Sequence, residues 1–347
     1  MKVSERALLE VAQEILVLLG EERANAEQAA SAMVGADMRG VNTHGINLLR
    51  LVSQRVAAGM LALPTRIETL KEDATTAVLD GNNGLGQVAA GRGSSMSAEK
   101  AKQAGLGMVV VRNTNNLGAL GYYTSQSATR YGVVAVLMTN GNPSVAPFGS
   151  ADPFFGTNPI SISVPSDGSA LVLDMSASVV ARGKIRLAAM SGESIPLGWA
   201  CDETGAPTTD AKRALKGSLL PLGGPKGSGL AMMIDILSGV LSGSSYGRKL
   251  KSFHELDGAT GVGACFIAID IGRFIDPSSF ARTIGEYVAD IKGLRKQPGV
   301  KEILVAGEIE LNKEEESRRL GIKIPDPVVK STDEILANLG SHLRIGK

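Results

Sequence analysis

The sequence predicts a mixed α/β fold with a helical N-terminal part and a central sheet. Three observations carry this. Apolar residues recur at helical spacing over the first sixty positions, short β-rich runs alternate with helical ones from Ala77 to Met138, and glycine-rich turns punctuate the chain, 42 glycines in 347 residues. A chain of this length with 44% hydrophobic residues can bury one large core or two to three smaller ones.

From Val3 to Gly20 and from Asn25 to Asp37 the spacing predicts two helices, with Leu8, Val11, Ile15 and Leu18 on one stripe. Arg39-Gly-Val-Asn-Thr-His-Gly45 interrupts the pattern before a third amphipathic run, Ile46 to Ala58, closed by Gly59, so His44 falls at or just before a helix start. After the Pro64 turn, Ala77–Asp80 is a strand and Gly81 to Gln87 a glycine-rich loop opening a helix that reaches Gln103. Gly107–Arg112 and Val133–Met138 are strands around a helix over Tyr122–Tyr131, and further strands fit Ile160–Val164, Ala170–Leu173 and Ala264–Ile269. The turn Leu222 to Gly229 precedes an apolar helix over Leu230–Leu241, Ser278–Lys292 is amphipathic, and Asn312–Arg319 is a solvated helix. Borders near 60 and 300 divide the chain into 1–60, 61–300 and 301–347.

Lys and Arg number 36 against 35 Asp and Glu, a net charge of +1, so no nucleic-acid partner is expected. The longest apolar stretch, Gly229–Leu241, is short for a span and carries Asp235, and Lys2, Glu5 and Arg6 do not make a signal peptide. A cytoplasmic protein without membrane contact is expected. Cys201 and Cys265 lack CxxC spacing and a nearby histidine, which argues for core residues and against a disulfide, a zinc site or any other metal.

A Rossmann unit would show G-x-G-x-x-G after a strand, and the loop at Gly81 carries the glycines in the permuted order G-x-x-G-x-G. Gly223-Gly-Pro-Lys226-Gly227 lacks the spacing of a Walker A loop, yet sets a lone cation among glycines at a helix start, either a pyrophosphate cradle or a solvated lysine. Of three histidines, His44 alone lies in a glycine-flanked turn at a helix start, which suits an acid/base near neutrality and equally a histidine that packs or caps; His254 and His342 read as structural.

Eight ordered motifs carry a resemblance: Arg39 to Gly45, Asp80-Gly81 with Gly86-Gln87, Gly121-Tyr-Tyr123, Gly156-Thr-Asn-Pro159, Leu173-Asp-Met-Ser176, Ala181-Arg-Gly-Lys184, Pro196-Leu-Gly-Trp199 and Lys226-Gly227. From about Leu8 to about Ile324 the chain resembles the malate/L-lactate dehydrogenase family, whose members include sulfolactate, ureidoglycolate and diketogulonate dehydrogenases or reductases. The resemblance implies a non-Rossmann, sulfolactate-dehydrogenase-like fold that binds NAD or NADP, and a homodimer with its active sites near the subunit contact. It implies hydride transfer to or from C2 of a small 2-hydroxy or 2-oxo acid, with His44 passing the proton, Thr43 orienting the imidazole and Asn116 beside the substrate oxygen.

Arg50, Asn140 and Asn158 are placed by it at or near the substrate. Along the cofactor it places Gly168, Ser169, Ala170, Leu171, Val172, Leu173, Asp174, Met175 and Ser176, with Lys226, Gly227 and a closing segment Ala306-Gly307-Glu308 that returns to the cofactor and the dimer contact. The chain departs from the family pattern where Leu48, Val52 and Asn116 replace an arginine, a tyrosine and a second histidine. Either Arg50, Arg39 or Arg182 then supplies the charge for the substrate's acid group, or the substrate is held differently. A cyclic imine carboxylate is an alternative hydride acceptor, and a nicotinamide-binding sensor without turnover a reading of another class.

Overall fold

Ser4 ends a two-residue strand, β1 (Lys2–Val3), and its hydroxyl caps the first helix by accepting the Ala7 N–H at 3.2 Å. The computed structural model describes residues 1–167 and 169–345. Helices α1 (Glu5–Leu18), α2 (Arg23–Met38) and α3 (Leu48–Ala57) follow, with a tight 3₁₀ turn, Asn42–His44, between the last two. Strands β2 (Glu68–Glu72) and β3 (Thr76–Asp80) lead to α4 (Gly86–Ala104), then β4 (Leu106–Thr114), α5 (Leu120–Tyr131), β5 (Val133–Thr139), β6 (Ile160–Pro165) and β7 (Ala170–Met175). A smaller lobe holds α6 (Arg182–Ser191), the pair β8 (Ala200–Cys201) and β9 (Pro207–Thr208), and α7 (Ala211–Lys216). The chain closes with α8 (Pro225–Asp235), which runs into a wider turn over Ile236–Val240, then β10 (Val262–Asp270), α9 (Pro277–Lys292), α10 (Glu308–Leu320), β11 (Ile322–Lys323) and α11 (Asp326–Asn338).

Seven strands form one sheet in the order β2-β3-β4-β10-β5-β6-β7. Alternation sorts its side chains: Val109, Val111, Leu137 and Phe266 face α4 and α5, while Val110, Met138 and Cys265 face Ile234 of α8. Because β3 and β4 are parallel and every other pair is antiparallel, β3, β4, β5 and β7 run the same way. Their C-terminal ends, with the turns after Asp80, Thr114, Thr139 and Met175, therefore meet at one edge of the sheet, the edge where open α/β sheets bind ligands.

The predicted sheet strands fall on observed ones. The apolar helix begins earlier than its periodicity suggests, since Pro225, with φ preset and no N–H to lose, starts the first turn and takes Lys226 and Gly227 into the helix. Strand β2, the short pair β1–β11, and helices α6, α7 and α11 lie outside the elements predicted from the sequence. Both cysteines are buried and free. The expected N- and C-terminal parts share one core, in which Leu8, Ile15, Met33 and Leu49 pack with Ile322, Ile324, Leu336 and Ile345. Among the described residues no helix is long and apolar enough to cross a membrane.

Candidate active site

The turn that carries His44 is held by an acid in an unfavourable place. Asp37 sits in the last turn of α2, where the helix dipole disfavours negative charge, and is 4% exposed. One carboxylate oxygen accepts the Asn42 side-chain amide at 2.9 Å and the other the Ile46 N–H at 2.8 Å, so the carboxylate bridges the two sides of His44. Gly45 has to be glycine because a Cβ there would lie 2.0 Å from that carboxylate. Burial pushes the Asp37 carboxyl up to about 6, against its two hydrogen bonds. The native state then binds its proton more tightly than the unfolded chain, so between pH 3.8 and about 6 this group's contribution to stability falls as pH rises. Asp37→Asn removes the ionisation. Its stability relative to wild type should improve by about 3 kcal/mol from pH 4 to pH 7 in urea unfolding, whereas a pH-independent difference would mean that Asp37 does not titrate in this range.

His44 retains some surface, but its Nδ1 is closed off and has no hydrogen-bond partner. Burial, and secondarily the charge of His254, lowers the imidazole to about 4, so it is neutral at pH 7. The cause expected from the sequence was the helix start; the structure gives desolvation instead. His254, which reads as structural in the sequence, is exposed on a loop close enough to act on His44, and its own ionisation is lowered by burial, Arg186 and Arg50. The signal for it was the scarcity of histidine; that for Asp37 was an acid at a helix C-terminus.

Thr43 does not hold the imidazole: its side chain is exposed, makes no hydrogen bond among the described residues, and abuts the start of α6, where a Cβ on Gly183 would lie 3.5 Å from it. Asn116 stands in the loop after β4, its Oδ1 accepting the Gly118 N–H at 2.9 Å, and a Cβ on Gly118 would sit 3.9 Å from the His44 carbonyl. Asn116 is thus brought beside the His44 turn. Arg50 is exposed on α3 and its charge reaches His254.

Asn140 and Asn158 are not brought to an open site. Asn140 donates to Asp235 and to the Ser245 carbonyl, both at 2.9 Å, and accepts the Gly263 N–H at 2.9 Å. Asn158, fully buried, donates to the Ala231 carbonyl at 2.9 Å and accepts from Gly141. Buried amides must be satisfied, and here the loops themselves supply the partners. Leu48 and Val52 point into the helical core at 3% and 1% exposure. Arg39 is engaged by Glu314 at 2.8 Å, and Arg182 by the Leu215 carbonyl at 2.6 Å.

The suspected cofactor segments divide between two places. Ser169, Ala170, Val172, Leu173 and Asp174 line a cavity of about 660 Å³ together with Ala306, Gly307 and faces of α2, α5 and α10; Val41 and Ala119 bring it to the His44 turn. Leu171 and Met175 are half-buried along the same strand, and Gly168 lies outside the described residues. Asp174 keeps solvent access but accepts the Gly121 N–H at 2.7 Å, and burial of its carboxyl, helped by Glu310, pushes it up to about 6. Beyond β7, Ser176 bonds Ser178, and the Leu222 N–H reaches the Ala177 carbonyl at 2.9 Å, which sets the start of α8 against the end of the strand. There Lys226 is exposed with no side-chain partner among the described residues, while Gly227 is buried 2.3 Å, measured from an added Cβ, from the Leu222 carbonyl. Glu308 is engaged internally by Lys292 and by the Val305 N–H at 3.0 Å, so its carboxylate anchors the start of α10 and does not face the cavity as a free group.

The malate/L-lactate dehydrogenase family model matches residues 3–332. The chain belongs to that family. Among relatives, the malate/(S)-sulfolactate dehydrogenase of Methanothermus fervidus is 38% identical over 329 residues, 95% of each chain. The sulfolactate dehydrogenase of Methanocaldococcus jannaschii superposes with a TM-score of 0.93 at 34% identity, covering 99% of this chain and 98% of that one. The Δ1-piperideine-2-carboxylate reductase of Pseudomonas syringae gives 0.87 at 28% identity, covering 96% and 99%. Membership carries the family's reaction class, oxidoreduction of small hydroxy acids, and accounts for a central sheet without the Rossmann glycine order.

Proposed function

We propose that this family member transfers a hydride between NAD or NADP and C2 of a small 2-hydroxy or 2-oxo acid, with His44 as the proton acceptor or donor. The single observation that carries this is His44 itself: a neutral, desolvated imidazole, its Nδ1 without a protein partner, on a braced turn beside a ligand-sized cavity. The residues fit a dinucleotide, since the cavity along β7 is of small-molecule size and the start of α8 presents an unpaired cation at a helix N-terminus. Ser169 to Asp174, Ala306 and Gly307 would line it, with Lys226 toward a phosphate. When bound, the nicotinamide supplies the hydride chemistry. His44, unprotonated at pH 7, takes the hydroxyl proton as the alcohol is oxidised and returns it to the oxygen in reduction. Asn116 supplies an amide that orients that oxygen but moves no proton.

The test is an assay of 2-oxo acids and cyclic imine carboxylates with NADH and NADPH, followed by nicotinamide absorbance; silence across both classes with intact cofactor binding would overturn it. Lys226→Ala should raise the Kd of the reduced cofactor about ten- to hundredfold, the worth of one charge-assisted hydrogen bond, with unfolding unchanged. Unaltered affinity would make Lys226 a solvated residue. A homodimer belongs to the proposal, supported by the apolar stripe of Met232, Met233, Ile236, Val240 and Leu241 left exposed along α8 and the turn after it. Sedimentation at micromolar concentration checks it.

A further inference from the structure

The cavity beside the His44 turn is walled where three segments meet, and the carboxylates of that wall outnumber its free cations. Gly121, in the first turn of α5, lies against β7: a Cβ there would sit 3.0 Å from the Asp174 carboxylate and 3.2 Å from the Val172 side chain. Gly307, just before α10, lies against the same strand, where a Cβ would sit 2.7 Å from the Val172 carbonyl, and the Val172 N–H donates to the Ala306 carbonyl at 3.3 Å. With α10 fixed at its start, the residues that follow Gly307 at helical spacing share its face. They are Glu310, Leu311 and Glu314, and all three line the cavity together with Asp174. Among the described residues the cations of this lining are Arg39 and Arg318, and Glu314 engages both, at 2.8 Å and 2.7 Å. Arg39 also donates to the Gly121 carbonyl at 3.2 Å and to Ser125 at 3.1 Å. Glu310 and Asp174 have no ion-pair partner among the described residues, and Lys226 is not part of this lining.

We propose that Glu310 makes this cavity select NAD over NADP. The two cofactors differ by one phosphate on the adenosine ribose, which brings a charge of roughly −1.5 to −2 in place of a hydroxyl. A hydroxyl donates to a carboxylate, so the acidic lining suits a free ribose diol. A phosphate needs donors, and the two guanidinium forks that could supply them are already held by Glu314. Glu310 decides between the two because it is exposed in the lining and makes no hydrogen bond among the described residues, whereas Asp174 is tied to the Gly121 N–H at 2.7 Å. A like charge a few ångströms away in a half-buried site weakens binding by about tenfold or more. The selection rests on the reading that the cavity holds the dinucleotide, but it can be measured without turnover.

The experiment titrates wild type, Glu310→Gln and Glu310→Arg with NADH and with NADPH by nicotinamide fluorescence, at low and at high salt. Wild type should bind NADH about ten- to hundredfold more tightly than NADPH, and the ratio should shrink in high salt as the repulsion is screened. Glu310→Gln keeps an acceptor and loses the charge, so it should tighten NADPH about three- to tenfold and leave NADH within about threefold. Glu310→Arg, which supplies a donor fork, should bring the two Kd values level. Glu310 is exposed and has no partner to lose, so both variants should keep the wild-type Tm. Wild type that binds NADPH as tightly as NADH, or a ratio that ignores both substitutions, overturns the selection even if 2-oxo acids turn over. A ratio that follows Glu310 without turnover of any 2-oxo acid or cyclic imine upholds the selection and overturns the hydride-transfer reading. Binding of neither cofactor by wild type overturns both.

Discussion

His44→Ala should lower kcat for 2-hydroxy acid oxidation by about 10² to 10⁴, the usual worth of a positioned acid/base, and leave the NAD(H) Kd within twofold. The acid limb of kcat/KM in wild type should fall near pH 4 and not near 6.5, because burial and then His254 hold the free-enzyme imidazole down. An anionic substrate beside the ring would raise it again, which suits return of the proton in the reductive direction. Stability supplies a second readout. The unfolded chain binds a proton at His44 below pH 6.5 that the native state accepts only near 4, so the native state loses about 3 kcal/mol as pH falls through that window. His44→Ala should be less sensitive to acid than wild type by about that amount. A variant with near-wild-type kcat and an unchanged pH profile would remove His44 from the chemistry.

Arg55→Ala should destabilise the protein by about 3 to 5 kcal/mol, the range for removing one partner of a buried charged contact. Its side chain is fully buried and donates to the carbonyls of Glu255 at 2.7 Å and Gly258 at 2.5 Å, with Ser252 and Met60 at 3.4 Å. The guanidinium also covers the Phe253 ring at 5.2 Å. Truncation leaves those carbonyls unpaired and a cavity above the ring. Arg55→Met refills much of the volume and should recover only the cavity's share. Urea unfolding of both separates packing from hydrogen bonding, and a loss below about 1 kcal/mol for Ala would show that solvent replaces the arginine freely.

Much of the fold was legible because its sheet strands are β-branched runs between glycine turns, and because α1 and α3 repeat their apolar residues at helical spacing. Helix α11 went unread although Val328, Thr332, Ile335, Leu336 and Leu339 recur at helical spacing and form the face that packs on the N-terminal helices. Within the candidate site, His44, Arg50 and Asn116 could be picked out from motif and residue type, and the loop that carries Asn116 comes up against the His44 turn through Gly118. Asn140 and Asn158 could not be told from ligand-facing amides, since a sequence does not show whether a loop supplies an amide's partners. His254 was missed because the 252–258 loop nears the His44 turn only in the folded chain, whereas Asp37, seven residues before His44, carried the local signal of an acid at a helix C-terminus.

The core shared by the two ends of the sequence has a consequence for the order in which the molecule assembles. During synthesis the helices that brace the His44 turn emerge first, yet Ile322, Ile324, Leu336 and Ile345, which complete their apolar packing, emerge about three hundred residues later. The central sheet, built from strands much nearer to one another along the chain, has its partners sooner. The His44 turn should therefore be among the last parts to become rigid, and a nascent chain stalled before β11 would hold a formed sheet beneath a still fluctuating His44, its apolar helices open to premature association.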